Sequence, residues 1–202
     1  MTNKKEHWET IYQNKQPNEV SWTQETPQIS LDFIHSLNPS KSSSIIDIGG
    51  GESKLVDFLL DQGYENITVL DISSRALEKA KKRLGPRAEK VTWIVSDIMD
   101  FKPATTYDCW HDRAAFHFLT EQNDIRKYVE LVNNYVNKYL VMGTFSTEGP
   151  LKCSGLQITQ YNDDSMQKTF ESEFKQIECK SENHTTPFNT QQNFIFCSFE
   201  KM

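Results

Sequence analysis

The sequence predicts an α/β fold: a mostly parallel sheet with helices on both faces and a reversed final strand. Three features carry this. From residue 44 onward, short apolar runs alternate with helical patterns. A glycine-rich turn joins the first of these runs to its helix. Near the C-terminus, two strand-like runs follow one another with no helix between them. Alternating strands and helices build a parallel sheet, whereas consecutive strands fold back as an antiparallel hairpin.

Each element follows from its residues. Residues 26–37, "TPQISLDFIHSL", read as a helix with Pro27 in its first turn, where the missing N–H costs nothing. "SIIDIG" (44–49) is a buried first strand, and "SKLVDFLLDQG" (53–63) a helix closed by Gly63. "ITVLDIS" (67–73) is the second strand. In the helix over 74–86, Ala76, Leu77, Ala80 and Leu84 recur at helical spacing. Ser73 or Ser74 caps it and Gly85-Pro86 ends it. "VTWIVSD" (91–97) and "YDCWHD" (107–112) are strands three and four, with a helix expected just after the latter. Ile125, Tyr128, Val129, Val132 and Val136 mark one face of a helix over 121–136. "KYLVMGTF" (138–145) is strand five. A helix near 165–174 precedes the hairpin formed by 175–182 and 193–201.

With 202 residues, 37% hydrophobic, the chain suits one domain, expected over 1–202: an aromatic lid segment at 1–25 and a core at 26–202. A net charge of −6 makes general binding of nucleic acid a poor reading. The basic run from Lys79 to Lys90 reads as the solvated face and end of a helix. No apolar stretch approaches the ~20 residues that span a bilayer, and no early segment reads as a secretory signal. Cys109, Cys153, Cys179 and Cys197 lie far apart without CxxC spacing, which argues against a zinc ribbon or a disulfide framework. A reducing cytoplasm is the expected location, and no metal site is expected.

The turn "DIGGGES" brings backbone close to a ligand at the carboxyl ends of the strands, where open α/β sheets bind. Asp71, at the end of strand two, is placed to accept hydrogen bonds from two ribose hydroxyls. A nicotinamide fingerprint would need a third glycine where Lys54 stands, and no GKS or GKT makes a phosphate loop. Asp47 beside the turn suits a cationic ligand better than a pyrophosphate. In order, "IIDIGGGES", "VLDIS" and "VSDIMDF" resemble the class I S-adenosylmethionine-dependent methyltransferases, over about residues 26–201. The resemblance implies a Rossmann-like seven-stranded sheet with its last strand reversed. It further implies that Asp47, Gly49 and Gly51 hold the aminoacid end of S-adenosyl-L-methionine. Asp71 and Ile72 would hold the ribose, and Asp97 and Ile98 the adenine, with Trp22 closing over the cofactor. Ser53 departs from the pattern, since many members carry a glycine there, so a slightly different turn is expected.

The topology sends three segments to one rim. His111 and Asp112 after strand four, and His184 after strand six, are the candidate catalytic groups. Arg113, His117 and Cys153 are the candidate contacts to the acceptor. Each has a plainer reading: Asp112 as a helix cap, His117 as a core histidine, Arg113 as a partner of a nearby carboxylate, Cys153 as a loop thiol and His184 as a loop brace. Trp8, Tyr12 and Trp22 either roof the cofactor or pack on the first helix. The segment "HWETIYQNK…SW" and "WHDRAAF" are similar to the thiopurine and thiol S-methyltransferase branch, which implies a small-molecule acceptor with a soft atom such as sulfur. Two alternatives stand beside it: a protein-lysine methyltransferase of the same fold, and a non-catalytic cofactor-binding module. The oligomeric state is not legible.

Overall fold

The computed structural model describes residues 4–202, so the first three residues of the expected lid segment lie outside the described residues. Seven strands form one sheet: β1 (Ser44–Ile48), β2 (Asn66–Asp71), β3 (Val91–Val95), β4 (Tyr107–Arg113), β5 (Val136–Phe145), β6 (Phe174–Thr185) and β7 (Gln191–Lys201). Their order is β3-β2-β1-β4-β5-β7-β6. β1 to β5 pair in parallel, and β7 runs antiparallel to both β5 and β6. This is the mostly parallel, Rossmann-like sheet with a reversed last strand that the sequence predicts.

Six helices accompany the sheet: α1 (Lys4–Asn14), α2 (Gln28–Leu37), α3 (Leu55–Asp61), α4 (Ser74–Leu84), α5 (Gln122–Tyr135) and α6 (Asp163–Phe170). Two apolar clusters, one on each face of the sheet, hold the layers together. Ile45 joins Phe33, Leu59, Leu77 and Phe196 in one; Ile46 joins Trp110, Tyr128, Leu140 and Phe199 in the other. Adjacent residues divide between clusters because successive strand side chains point to opposite faces. β1 is buried along almost its whole length, as a central parallel strand must be.

Three local readings change. The expected helix after strand four is one 3-10 turn, Phe116–Phe118. The lid segment carries a full helix, α1, packed on α4. Cys179 and Cys197 are joined as a disulfide. They sit directly opposite each other on β6 and β7, so pairing arises from strand register and not from a spacing motif. Cys109 and Cys153 are free and buried. No described helix is long and apolar enough to cross a membrane.

Candidate active site

Parallel strands end on the same edge, and the turn after β1 opens there into a cleft of about 330 Å³. The turn's path needs glycine. Gly49 has φ +64°, and a Cβ on it would lie 2.7 Å from the Cβ of Ala115. Gly51 has φ +48°, and its Cβ would meet the Tyr12 hydroxyl at 2.7 Å. Where the familiar pattern has another glycine, Ser53 is buttressed from α4: Arg83 donates from Nη1 to the Glu52 carbonyl and from Nη2 to the Ser53 carbonyl, both at 2.8 Å. The same guanidinium grips Asp57. The basic run therefore braces the turn as well as facing solvent.

Asp47, Gly49, Asp71, Ile72, Asp97, Ile98 and Trp22 line the cleft; Gly51 does not, because Tyr12 covers it. Burial pushes the Asp71 carboxyl up to about 7. The amides of Ser73 and Gly51 pull against that, while the charges of Asp47 and Glu9 add to it. The Ser73 N–H donates to Asp71 Oδ1 at 2.7 Å, and the Met99 N–H to Asp97 Oδ1 at 3.0 Å. Each carboxylate is thus oriented by its own following turn. The roof is aromatic. Trp8 meets Trp22 at 5.6 Å and Phe118 at 5.3 Å between ring centroids, and Tyr12 lies 6.4 Å from Trp22. All three side chains line the cleft, and Trp22 also packs against the apolar cluster that contains Phe33 of α2.

The candidate catalytic residues separate. His111 lines the cleft, but both ring nitrogens are engaged: Nδ1 with Asp47 Oδ1 at 2.7 Å and Nε2 with Ser30 Oγ at 2.9 Å. Both contacts are met when Nδ1–H donates to Asp47 and Nε2 accepts from the Ser30 hydroxyl. Asp47 and His111 meet because they are register partners on adjacent parallel strands. Asp112, one residue on, faces the other side of the sheet. It is fully buried and does not line the cleft. Its Oδ1 accepts from the Ala115 and Phe116 amides at 3.0 Å, and its Oδ2 from the Tyr128 hydroxyl at 2.7 Å. Desolvation raises it to about 6. The geometry gives Asp112 the turn-bracing role in place of a catalytic one.

His184 also lies outside the cleft. Its Nε2 is 2.7 Å from the Ser21 carbonyl, so it ties the segment before α2 to the end of β6. His117 is fully buried, and burial together with the Arg113 charge lowers it to about 3. Its Nδ1 accepts from the Phe145 amide at 3.4 Å, which makes it a core histidine. Arg113 and Cys153 do line the cleft. Burial pushes the Cys153 thiol up to about 12, with Arg113 opposing, so it stays protonated near neutral pH. Sequence reasoning missed Ser30, whose partner is 81 positions away, and Glu9, which reaches α4 from α1. No local motif marks either.

Residues 45–138 match the methyltransferase domain family. The match runs from β1 to the start of β5, just under half of the chain, and over that span the chain is similar to S-adenosylmethionine-dependent methyltransferases. Among curated relatives, the chain is 24% identical over 122 residues to the mouse eEF1A lysine and N-terminal methyltransferase, covering 59% of this chain and 17% of that protein. It is 27% identical over 118 residues to malonyl-[acyl-carrier protein] O-methyltransferase 1 of Ilyobacter polytropus, covering 58% of this chain and 41% of that one. The chain thus spans less than half the length of these relatives. A solved structure of similar fold is the Burkholderia thailandensis 1,6-didemethyltoxoflavin N1-methyltransferase, with its substrate and S-adenosylhomocysteine bound. Its TM-score is 0.71 at 12% identity, over 98% of this chain and 87% of that one.

Proposed function

We propose that the chain transfers a methyl group from S-adenosylmethionine to a small-molecule acceptor whose reacting atom is soft, sulfur above all. One observation carries this: a glycine turn and the carboxylates of Asp71 and Asp97 open together into a cleft roofed by Trp8, Tyr12 and Trp22. The cleft fits the cofactor, because Gly49 and Gly50 line it with bare backbone beside Asp47, and Asp71 stands at its wall for two ribose hydroxyls. When bound, with Asp71 at its ribose and Asp47 and Gly49 at its aminoacid end, the cofactor would supply an electrophilic methyl group carried on a sulfonium. The chain's own part is to align the two partners and keep water out. The aromatic roof excludes solvent and offers π faces to a cation without competing as a nucleophile.

The absence of a spare base in the cleft's histidine and thiol groups points to the acceptor. His111 is held at both nitrogens, Asp112 and His184 lie elsewhere, and Cys153 stays protonated. An acceptor that ionises unaided, such as a thiol, needs no such base. The resemblance to the thiopurine and thiol branch agrees. A lysine acceptor would have to shed its proton first, so the name of the mouse relative supports only the second reading. A cytoplasmic location belongs to this proposal, and the Cys179–Cys197 pair is a feature such a compartment opposes. Titration with S-adenosylhomocysteine and, separately, NAD tests the cofactor: saturable binding of the first alone is expected. Binding of NAD alone would overturn it. A screen of thiols and amines with labelled cofactor separates an enzyme from a binding module.

A further inference from the structure

Arg113 ends β4 at the wall of the cleft. Its Nη1 donates to the Trp22 carbonyl at 3.0 Å, and its guanidinium lies 5.0 Å above the Phe194 ring. Nε and Nη2 are buried and have no hydrogen-bond partner. These two donors share one edge of the guanidinium and point in parallel, the fork that receives both oxygens of a carboxylate. No carboxylate of the described residues lies within ion-pair distance of Arg113. Glu182 on β6 acts on it only from farther away, and its own Oε2 is also unpartnered. Two buried donors with no partner among the described residues call for one from outside the chain.

The position says whose anion it would hold. Asp71 and Asp97 belong to β2 and to the segment just after β3, on one wing of the sheet. Arg113 lies toward the other wing, with Phe194 of β7 beneath it and Glu182 of β6 as the opposite charge that acts on it most strongly.

We propose that Arg113 is a specificity residue that binds a carboxylate on the methyl acceptor through Nε and Nη2. This rests on the methyltransferase reading, so the test first loads the protein with S-adenosylhomocysteine. Calorimetry then compares thiosalicylate with thiophenol and mercaptopropionate with mercaptopropanol, and labelled-cofactor assays follow the same pairs. The acid of each pair should bind the loaded protein at least tenfold more tightly than its neutral partner. Arg113→Met should collapse that ratio toward one, and Arg113→Lys, which keeps the charge but not the fork, should leave part of it. Equal binding of acid and neutral partner, no binding of any acid to the loaded protein, or an unchanged ratio in Arg113→Met would each overturn the proposal. If Arg113→Met fails to fold, the wild-type ratios and Arg113→Lys still decide it. Failure of S-adenosylhomocysteine to bind would instead strike the cofactor reading, and this inference with it.

Discussion

A carboxylate buried at a strand end resists ionisation, and Asp71 shows the consequence. Its carboxyl is pushed to about 7, mainly by desolvation. If Asp71 holds the ribose hydroxyls as proposed, they bind its ionised form, so cofactor affinity should change across neutral pH. Affinity for S-adenosylhomocysteine should rise about tenfold between pH 6 and pH 8, since a group of that pKa is ionised only to about a tenth at the lower value. Folding runs the other way. With the native value above the unfolded one, the native state holds more protons between about pH 4 and 7, so this group's contribution to stability falls as pH rises through that window. Asp71→Asn should therefore flatten the binding profile, weaken binding by about 1–3 kcal/mol at pH 8, and raise the melting temperature of the cofactor-free protein there. A wild-type affinity that is flat from pH 6 to 8 would contradict the assignment. Asp112 makes the opposite point at the same scale: its oxygens already have three donors, so its buried charge serves the turn.

The roof depends on how α1 is held. Glu9 reaches the start of α4, where its Oε1 accepts from the Ser74 N–H at 2.8 Å and its Oε2 from the Ser73 hydroxyl at 3.1 Å. A carboxylate there satisfies free backbone N–H groups and faces the positive end of the helix. Desolvation acts to raise Glu9, but hydrogen bonds from Ser74, Arg75 and Ser73 outweigh it, and its value is lowered. Glu9→Gln should free α1 while leaving the sheet intact. We expect faster proteolysis within residues 4–14 and several-fold weaker binding of S-adenosylhomocysteine, with Glu6→Gln, an exposed position on the same helix, as the unaffected control. Equal proteolysis of the two variants would mean that the aromatic contacts of Trp8 and Tyr12 suffice. The aromatics themselves are legible in the sequence. Glu9 is not, because its partners lie about 65 positions away and only the fold brings them together.

At the scale of the whole molecule, legibility followed the range of the interaction. The sheet could be read because each parallel strand announces itself by a local apolar run and each crossover by a helix. The cleft-lining carboxylates follow from those strand ends. The alternation at β4 was harder, since His111 and Asp112 are neighbours in sequence but face opposite sides of the sheet. The cysteine pair was hidden in register: Thr185 opposite Gln191 fixes the hairpin, and counting back from that turn sets Cys179 opposite Cys197. Their Cα atoms are 4.1 Å apart. The bridge closes a loop of 18 residues at the sheet wing remote from Asp71 and Asp97. Such a loop constrains the unfolded chain by about 3 kcal/mol. In a protein of this size that corresponds to a melting temperature higher by about 6–12 °C. Reduction should lower the melting temperature by that amount, and the double variant Cys179→Ser with Cys197→Ser should match the reduced protein and no longer respond to reductant. Affinity for S-adenosylhomocysteine should stay the same, because the glycine turn, Asp71 and Asp97 lie at the ends of strands with which the hairpin does not pair. A thiol titration of the denatured, unreduced protein settles the premise. Two reactive thiols, Cys109 and Cys153, are expected; four would show that the hairpin stands without its bridge.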